Sequence, residues 1–258
     1  SVLAAVVTGG ASGIGKCVCN DFVQRGASVV IADVNREGGM ALEKEINENF
    51  KNKAVFVYCD VTDPQSIQNA IDTSIKTFGR FDIMCNNAGI GGSFGSFNNS
   101  EDVPFGIKNA TAVVKINLEA VVLGTMLALR AMRKSGNGGV IINTASMGGI
   151  FPMPYNPVYA ATKSGVIQFS RSLGNLQDEN IRVSAICPTY TITPLTSIDE
   201  LSKEQMKKEV GGNMLVPEDV SKGFMVLVDD MNSGGKIMRV TKNGLDYYTP
   251  RAVIEPTP

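Results

Sequence analysis

Tyr159 and Lys163 stand four apart in the segment YAATK, a spacing that puts both side chains on one face of a helix. A phenol beside an ammonium can move a proton. Tyrosine becomes a usable base only when its high solution pKa is brought down, and a neighbouring cation does that electrostatically. Such a base could take the proton of an alcohol while a hydride leaves for an acceptor. The same spacing in an ordinary helix means only a tyrosine beside a solvated lysine, so the pair needs support from elsewhere. Ser146, thirteen residues before Tyr159 and just past an apolar run, could donate to a substrate carbonyl; its plainer role is a turn hydroxyl. Asn117 lies inside the apolar segment KINLEAVVLG. It could hold a water that connects Lys163 to solvent, or be a satisfied core amide that bends its helix.

Histidine is absent from the 258 residues, which removes imidazole metal sites, the Ser-His-Asp triad and every histidine base. Five cysteines, an odd count with no CxxC pair, argue against a disulfide framework and a clustered zinc site. They fall in elements expected to be buried, as small hydrophobes. Lys plus Arg is 24 against 25 Asp plus Glu, a net charge of −1, so there is no broad basic field for nucleic acid or an anionic membrane. With 43% apolar and 19% charged residues the composition is that of a folded soluble domain. No run supplies the roughly 20 continuous apolar positions of a membrane span. A cytoplasmic location is expected, with secretion the alternative should a leader have been removed ahead of Ser1. Asn98-Asn99-Ser100 and Asn109-Ala110-Thr111 match the glycosylation pattern, which arises often by chance.

The elements that must position these groups alternate. Short apolar runs at Leu3 to Val7, Ser28 to Ala32, Ala54 to Tyr58, Phe81 to Cys85, Val140 to Asn143, Arg182 to Ile186 and Lys236 to Val240 read as strands. Amphipathic segments at Ile14 to Arg25, Gly38 to Asn49, Pro64 to Phe78, Thr111 to Arg133, Pro157 to Gln177 and Pro217 to Asp229 read as helices. Alternation of this kind predicts an α/β fold: a Rossmann-like, doubly wound, mostly seven-stranded parallel sheet with helices on both faces. One domain over 1–258 is expected. Gly26, Gly79 and Gly136 fall where left-handed caps would end helices. The stretches Gly91 to Ser100 and Tyr190 to Gly212 interrupt the pattern after strands, at the carboxyl edge where open α/β sheets bind ligands, and 190–212 is the expected substrate loop.

Thr8-Gly9-Gly10-Ala11-Ser12-Gly13-Ile14-Gly15 joins the first strand to the first helix. Glycines at 9, 13 and 15 permit a tight turn and let the helix amino end approach a pyrophosphate, although a purely structural turn has the same composition. Asp33 ends the second strand, 18 residues beyond Gly15. Its carboxylate can accept both ribose hydroxyls and would repel a 2'-phosphate, which favours NAD over NADP; capping of the next turn is its bland role. Arg36 could pair with that phosphate if the loop folded back. Asp60-Val61 follow the third strand, where an adenine edge could be met. Asn86-Asn87-Ala88-Gly89 follow the fourth, with small residues for close approach and amides able to hold backbone groups.

In this order, TGGASGIG, Asp60-Val61, NNAG, Asn117, Ser146 and YAATK resemble the short-chain dehydrogenase/reductase family over essentially the whole chain. The resemblance implies an NAD-dependent enzyme interconverting a secondary alcohol and a ketone. Tyr159 would be the acid/base, Lys163 its pKa modulator and ribose ligand, Ser146 the substrate-orienting donor and Asn117 the support of a proton-relay water. Gly9, Ser12, Gly13, Ile14, Gly15, Asp33 and Val34 would hold NAD, together with Asp60, Val61, Asn87, Ala88 and Gly89. Pro188, Thr191 and Thr193 would join them from beyond the sixth strand. Within the family, GGVIINTASMGGIFPMPYNPVYAATKSG, IRVSAICPTY and SGGKIMRVTKNGLDYY are similar to enzymes acting on hydroxylated lipids. That places a polar amide at Asn156 and an aromatic wall at Tyr190. Met147, Phe151, Met153 and Met214 are further apolar wall candidates, or ordinary core. Thr189 stands where the family usually has glycine and would restrict the backbone beside the nicotinamide. Family members pair the two long helices across a two-fold axis, so a homodimer is expected, with a tetramer as the alternative. A catalytically silent binding, storage or structural protein is the competing reading.

Overall fold

The computed structural model describes residues 3–91, 103–154, 156–196 and 214–250. Strand β1 (Ala4–Thr8) runs into α1 (Gly13–Gln24), β2 (Ser28–Asp33) into α2 (Arg36–Asn49), and β3 (Ala54–Tyr58) into α3 (Pro64–Phe78). Strand β4 (Ile83–Asn86) precedes α4 (Val103–Val114), which passes through a π-helical turn (Lys115–Glu119) into α5 (Ala120–Ser135). Then come β5 (Gly139–Thr144), α6 (Pro157–Ser172), β6 (Ile181–Pro188), α7 (Pro217–Asp229), β7 (Ile237–Thr241) and β8 (Gly244–Tyr248).

The strands form one sheet in the order β3-β2-β1-β4-β5-β6-β7-β8, parallel except for the last. Seven parallel strands match the expectation. The eighth, GLDYY, was not among the expected strands because its residues are exposed or half-buried and show no apolar alternation. It forms because Gly244, at φ 116, turns the chain back onto β7 and Arg239 forks onto Asp246 across the pair. The expected helix Pro157 to Gln177 ends at Ser172, and Gly174–Glu179 continues as a tighter 3₁₀ segment.

Both sheet faces are covered because the strands alternate. Ala5 and Val7 of β1 join a core with Val18, Phe22, Leu42 and Phe224, from α1, α2 and α7. Val6 points the other way, into a core with Ile67, Ile71, Ala128 and Met132 from α3 and α5. Helix ends are set locally. Pro64 opens α3 where a missing amide proton costs nothing, the Asp63 carboxylate accepts from the Gln65 amide, and Gly79 ends the helix at φ 76. Gly26 and Gly136 take the same left-handed region, as their positions require.

The helical stretch Asn109–Ser135 is long and apolar enough to cross a membrane by length and composition. The sequence reads as having no such span, because its longest helical candidates contain charges or small polar residues. In the fold, Ala120, Val121, Gly124, Thr125, Ala128 and Met132 of this stretch are buried.

Candidate active site

Strand order reverses between β1 and β4, and the crevice opens at their carboxyl ends, where two connections diverge to opposite faces. The glycine loop lies there. Gly9 and Gly13 have φ of +64 and +51, which glycine adopts without cost. A side chain at Gly15 would place its Cβ 2.1 Å from the Gly9 carbonyl oxygen, and one at Gly9 would come within 2.9 Å of the Ala88 Cα. Strand β4 pins this loop. The Asn87 amide side chain donates to the Thr8 carbonyl at 3.0 Å, while the Thr8 hydroxyl accepts from the backbone of Asn87 and Ala88 at 3.0 and 3.1 Å. Ser12, at the head of α1, is exposed and makes no cap, leaving the first-turn amides facing outward with Ile14 half-buried behind them. Thr193 comes over the same loop, 3.2 Å from where a Cβ on Gly13 would sit. The residues thus form a cradle of backbone donors for a pyrophosphate, and they fit a dinucleotide.

Asp33 is oriented by two backbone donors, Ala11 and Asn35, each at 2.9 Å. Each carboxylate oxygen keeps a second lone pair for a ribose hydroxyl. Val34 beside it is exposed. The Arg36 guanidinium lies 4.0 Å from the centroid of the Tyr58 ring. The Asp60 carboxylate accepts from the backbone and hydroxyl of Thr62 at 2.9 and 2.7 Å, a local turn, while Val61 is buried.

Tyr159 and Lys163 do share a face of α6, with the ammonium 5.6 Å from the phenol ring centroid. Burial pushes the Tyr159 phenol above its ordinary value, and the hydrogen bond with the Ser146 side chain only partly offsets this. The protein by itself raises the phenol, because desolvation outweighs the Ser146 hydrogen bond, and the expected lowering calls on the nicotinamide cation as well as the ammonium. Lys163 is buried and its ammonium is lowered to about 8 by that burial; it donates to the Thr144 carbonyl at 2.7 Å. The Ser146 hydroxyl accepts from the Gly148 amide at 3.1 Å, which leaves its own proton free to turn toward the phenol or a substrate. The buried Cys187 thiol, on β6, is pushed up to about 12 and stays neutral, so it adds no charge beside Tyr159 and Lys163. Sequence reasoning treated it as plain core.

Asn117 is fully buried in the π-helical turn. Its side chain is engaged at both ends by Ile90, accepting from the amide and donating to the carbonyl at 2.8 Å each. The side-chain amide therefore ties the segment after NNAG to the helix, and it keeps a second amide proton and a second lone pair. Gly89 is held between Asn117 and Lys163: a Cβ there would lie 3.3 and 3.7 Å from them.

On the substrate side the arrangement is looser. The Asn156 side chain accepts from the Tyr159 amide at 3.3 Å and donates to the Gly91 carbonyl at 2.7 Å. It caps α6 and so aims the tyrosine. Met147 is partly buried and packs against a core with Val121, Val166 and Ile237. Phe151 is exposed, and Met153, Tyr190 and Met214 are half-buried. Residues 92–100 and 197–213, including most of the expected substrate loop, lie outside the described residues. Where the chain returns, Leu215 pairs with Tyr190 and Ile192 through their backbones, and Thr191 is buried beside it. Thr189 donates its amide to Val240 and, among the described residues, the non-glycine positions with positive φ are Asn52 and Asn180, so Thr189 carries no backbone strain. Pro188 ends β6 in register with Val240.

A family model described as short chain dehydrogenase matches residues 3–205. The 15-hydroxyprostaglandin dehydrogenase (NAD(+)) of Mus musculus is 34% identical over 255 residues, covering 92% of this chain and 89% of that protein. The 3beta-hydroxysteroid dehydrogenase 2 of Eggerthella lenta is 34% identical over 233 residues, covering 88% and 87%. Among solved structures, the 3-ketoacyl-(acyl-carrier-protein) reductase from Brucella melitensis, complexed with NADH, superposes with a TM-score of 0.82 at 28% identity, covering 93% of this chain and 97% of that one. With the glycine cradle, the Asp33 carboxylate and the Ser146, Tyr159 and Lys163 cluster in one crevice, these likenesses make the chain a member of the short-chain dehydrogenase family.

Proposed function

We propose that the chain is an NAD-dependent oxidoreductase that interconverts a secondary alcohol and a ketone on an apolar or amphipathic substrate such as a hydroxylated lipid. The observation that carries this reading is the convergence of the Tyr159 phenol, the Ser146 hydroxyl and the buried Lys163 ammonium beside the glycine cradle. Relatives named for a prostaglandin and a steroid alcohol support the substrate class. Bound NAD supplies the hydride acceptor and, when oxidised, a positive charge near the phenol. Gly9, Gly13, Gly15, Asp33, Asn87 and Thr193 are the residues that would hold it.

The chain's own part is proton handling. Ser146 donates to the substrate oxygen and so orients it against Tyr159. In oxidation the phenolate takes the hydroxyl proton as the hydride departs; in reduction the phenol returns it. Lys163 favours the phenolate through its charge, and that charge is held in place by the Thr144 carbonyl. Asn156 fixes the start of α6, and with it the direction of the tyrosine. The reading extends to a homodimer formed through α4, α5 and α6, supported by the exposed Val114 and Met126 on that stretch.

Tyr159→Phe tests the reading, since it removes the proton carrier and keeps the ring. Turnover of NAD with a hydroxylated fatty acid or prostaglandin should fall about 10²- to 10⁴-fold while NADH binding changes little. Unchanged turnover would refute the assigned role. Tight NADH binding by the unmodified protein with no turnover on any secondary alcohol would favour a non-catalytic protein.

A further inference from the structure

We propose that Tyr58 is a specificity-determining residue for the dinucleotide: its ring holds the Arg36 guanidinium off the ribose rim and so denies a 2'-phosphate its cation. The proposal rests on the dinucleotide reading above. Tyr58 ends β3 directly in register with Asp33, the carboxylate that would receive the ribose. Strand alternation puts both side chains on the face that carries Ile31 and Phe56. Arg36 opens α2 one residue after the Asn35 amide that Asp33 holds. A cation therefore sits within one residue of the rim, and its guanidinium is engaged on the Tyr58 ring, 4.0 Å from the centroid. Among the described residues no carboxylate is within ion-pair distance of it.

Charge makes the position of that one cation decisive. The backbone of Cys59 bonds to Asp33, and the amide of Asp63 to the Asp60 carbonyl, so three acidic residues gather around the end of β3. A 2'-phosphate brought to this rim meets the Asp33 carboxylate while the arginine is engaged on the Tyr58 ring. Both members of the stack are exposed, so the cation–π contact is of the weak, solvent-shared kind. Its loss should change the distribution of Arg36 by a factor of only a few, which sets the size of the effect.

The test is fluorescence titration of the purified protein with NADH and with NADPH. In Tyr58→Leu, at an exposed position on the sheet's edge strand, the NADPH dissociation constant should fall about two- to fivefold, with that for NADH unchanged. Tyr58→Phe keeps the ring face and should behave as the parent. Adding Arg36→Gln to Tyr58→Leu should abolish the gain. An NADPH affinity that stays the same or weakens in Tyr58→Leu, or a gain that survives loss of Arg36, overturns the proposal. Parent protein that binds no NADH overturns the dinucleotide reading itself, whereas NADH binding without the NADPH gain overturns this inference alone.

Discussion

Asp33 illustrates how one side chain serves the loop and its expected ligand together. Its two oxygens accept from Ala11 and Asn35, which fixes the carboxylate plane before any ribose arrives. Preorganised acceptors of this kind gain more from two hydroxyls than mobile ones do. Asp33→Ala should therefore weaken NAD binding about 10- to 100-fold and NADP binding much less, measured as the ratio of the two dissociation constants. An unchanged NAD affinity would show that the ribose binds elsewhere. Asp33, Tyr159, Lys163 and Ser146 were all legible as residue types at particular spacings. The engagement of the Asn117 and Asn156 side chains was not, because Ile90 and Gly91, their backbone partners, lie 27 and 65 residues away in the chain.

At the scale of elements, the carboxyl end of the sheet carries the chemistry and the opposite end carries an anchor. Arg182, at the start of β6, is buried and donates to the carbonyls of Leu227, Val228 and Asp230 and to the Ser233 hydroxyl. The Leu227 and Val228 carbonyls belong to the last turn of α7, where carbonyls have no partner within the helix, and Asp230 is the residue that caps it. Arg182→Met would take away the Val228 carbonyl's donor and strip one bond each from Leu227 and Asp230, which keep the Ser233 hydroxyl and amide, at a cost of about 2 kcal/mol. The urea midpoint should drop while NADH affinity of the folded protein stays the same, since the glycine cradle is at the other end of the strands. Nothing in the local sequence IRVSAICP marks Arg182 as a helix anchor; only the pairing of β6 with β7 brings it under α7.

For the whole molecule, stability should respond to alkali in two opposed phases. Lys163 has a folded value of about 8, below its ordinary 10.5, so above pH 8 the folded protein releases a proton that the unfolded chain still holds. Stability rises with pH from this group in that window. Cys19, Cys59, Cys85 and Cys187 go the other way. Burial raises each above the ordinary thiol value of 9.0, so above pH 9 the unfolded chain ionises while the folded one does not. Each buried thiol then costs about 1.4 kcal/mol of stability per pH unit. Four thiols against one lysine decide the outcome: urea midpoints should rise slightly from pH 8 to 9 and fall steeply beyond it. A midpoint that stays level to pH 10 would mean the thiols are not buried in solution.

The alternation of apolar runs and amphipathic segments determined the parallel sheet and its crossovers, because burial on both faces demands that pattern wherever the chain is cut. The glycine loop, the strand-end Asp33 and the YAATK pair were likewise fixed by local needs: a positive φ, a strand terminus, one helical turn. Tertiary structure decided what depends on groups remote in sequence. It added the exposed strand β8, turned the Asn117 and Asn156 amides onto backbone groups, set Arg36 on Tyr58, and buried Tyr159 so that its phenol is raised. Desolvation and long-range hydrogen bonding are properties of what surrounds a residue, and that is settled only when the elements pack.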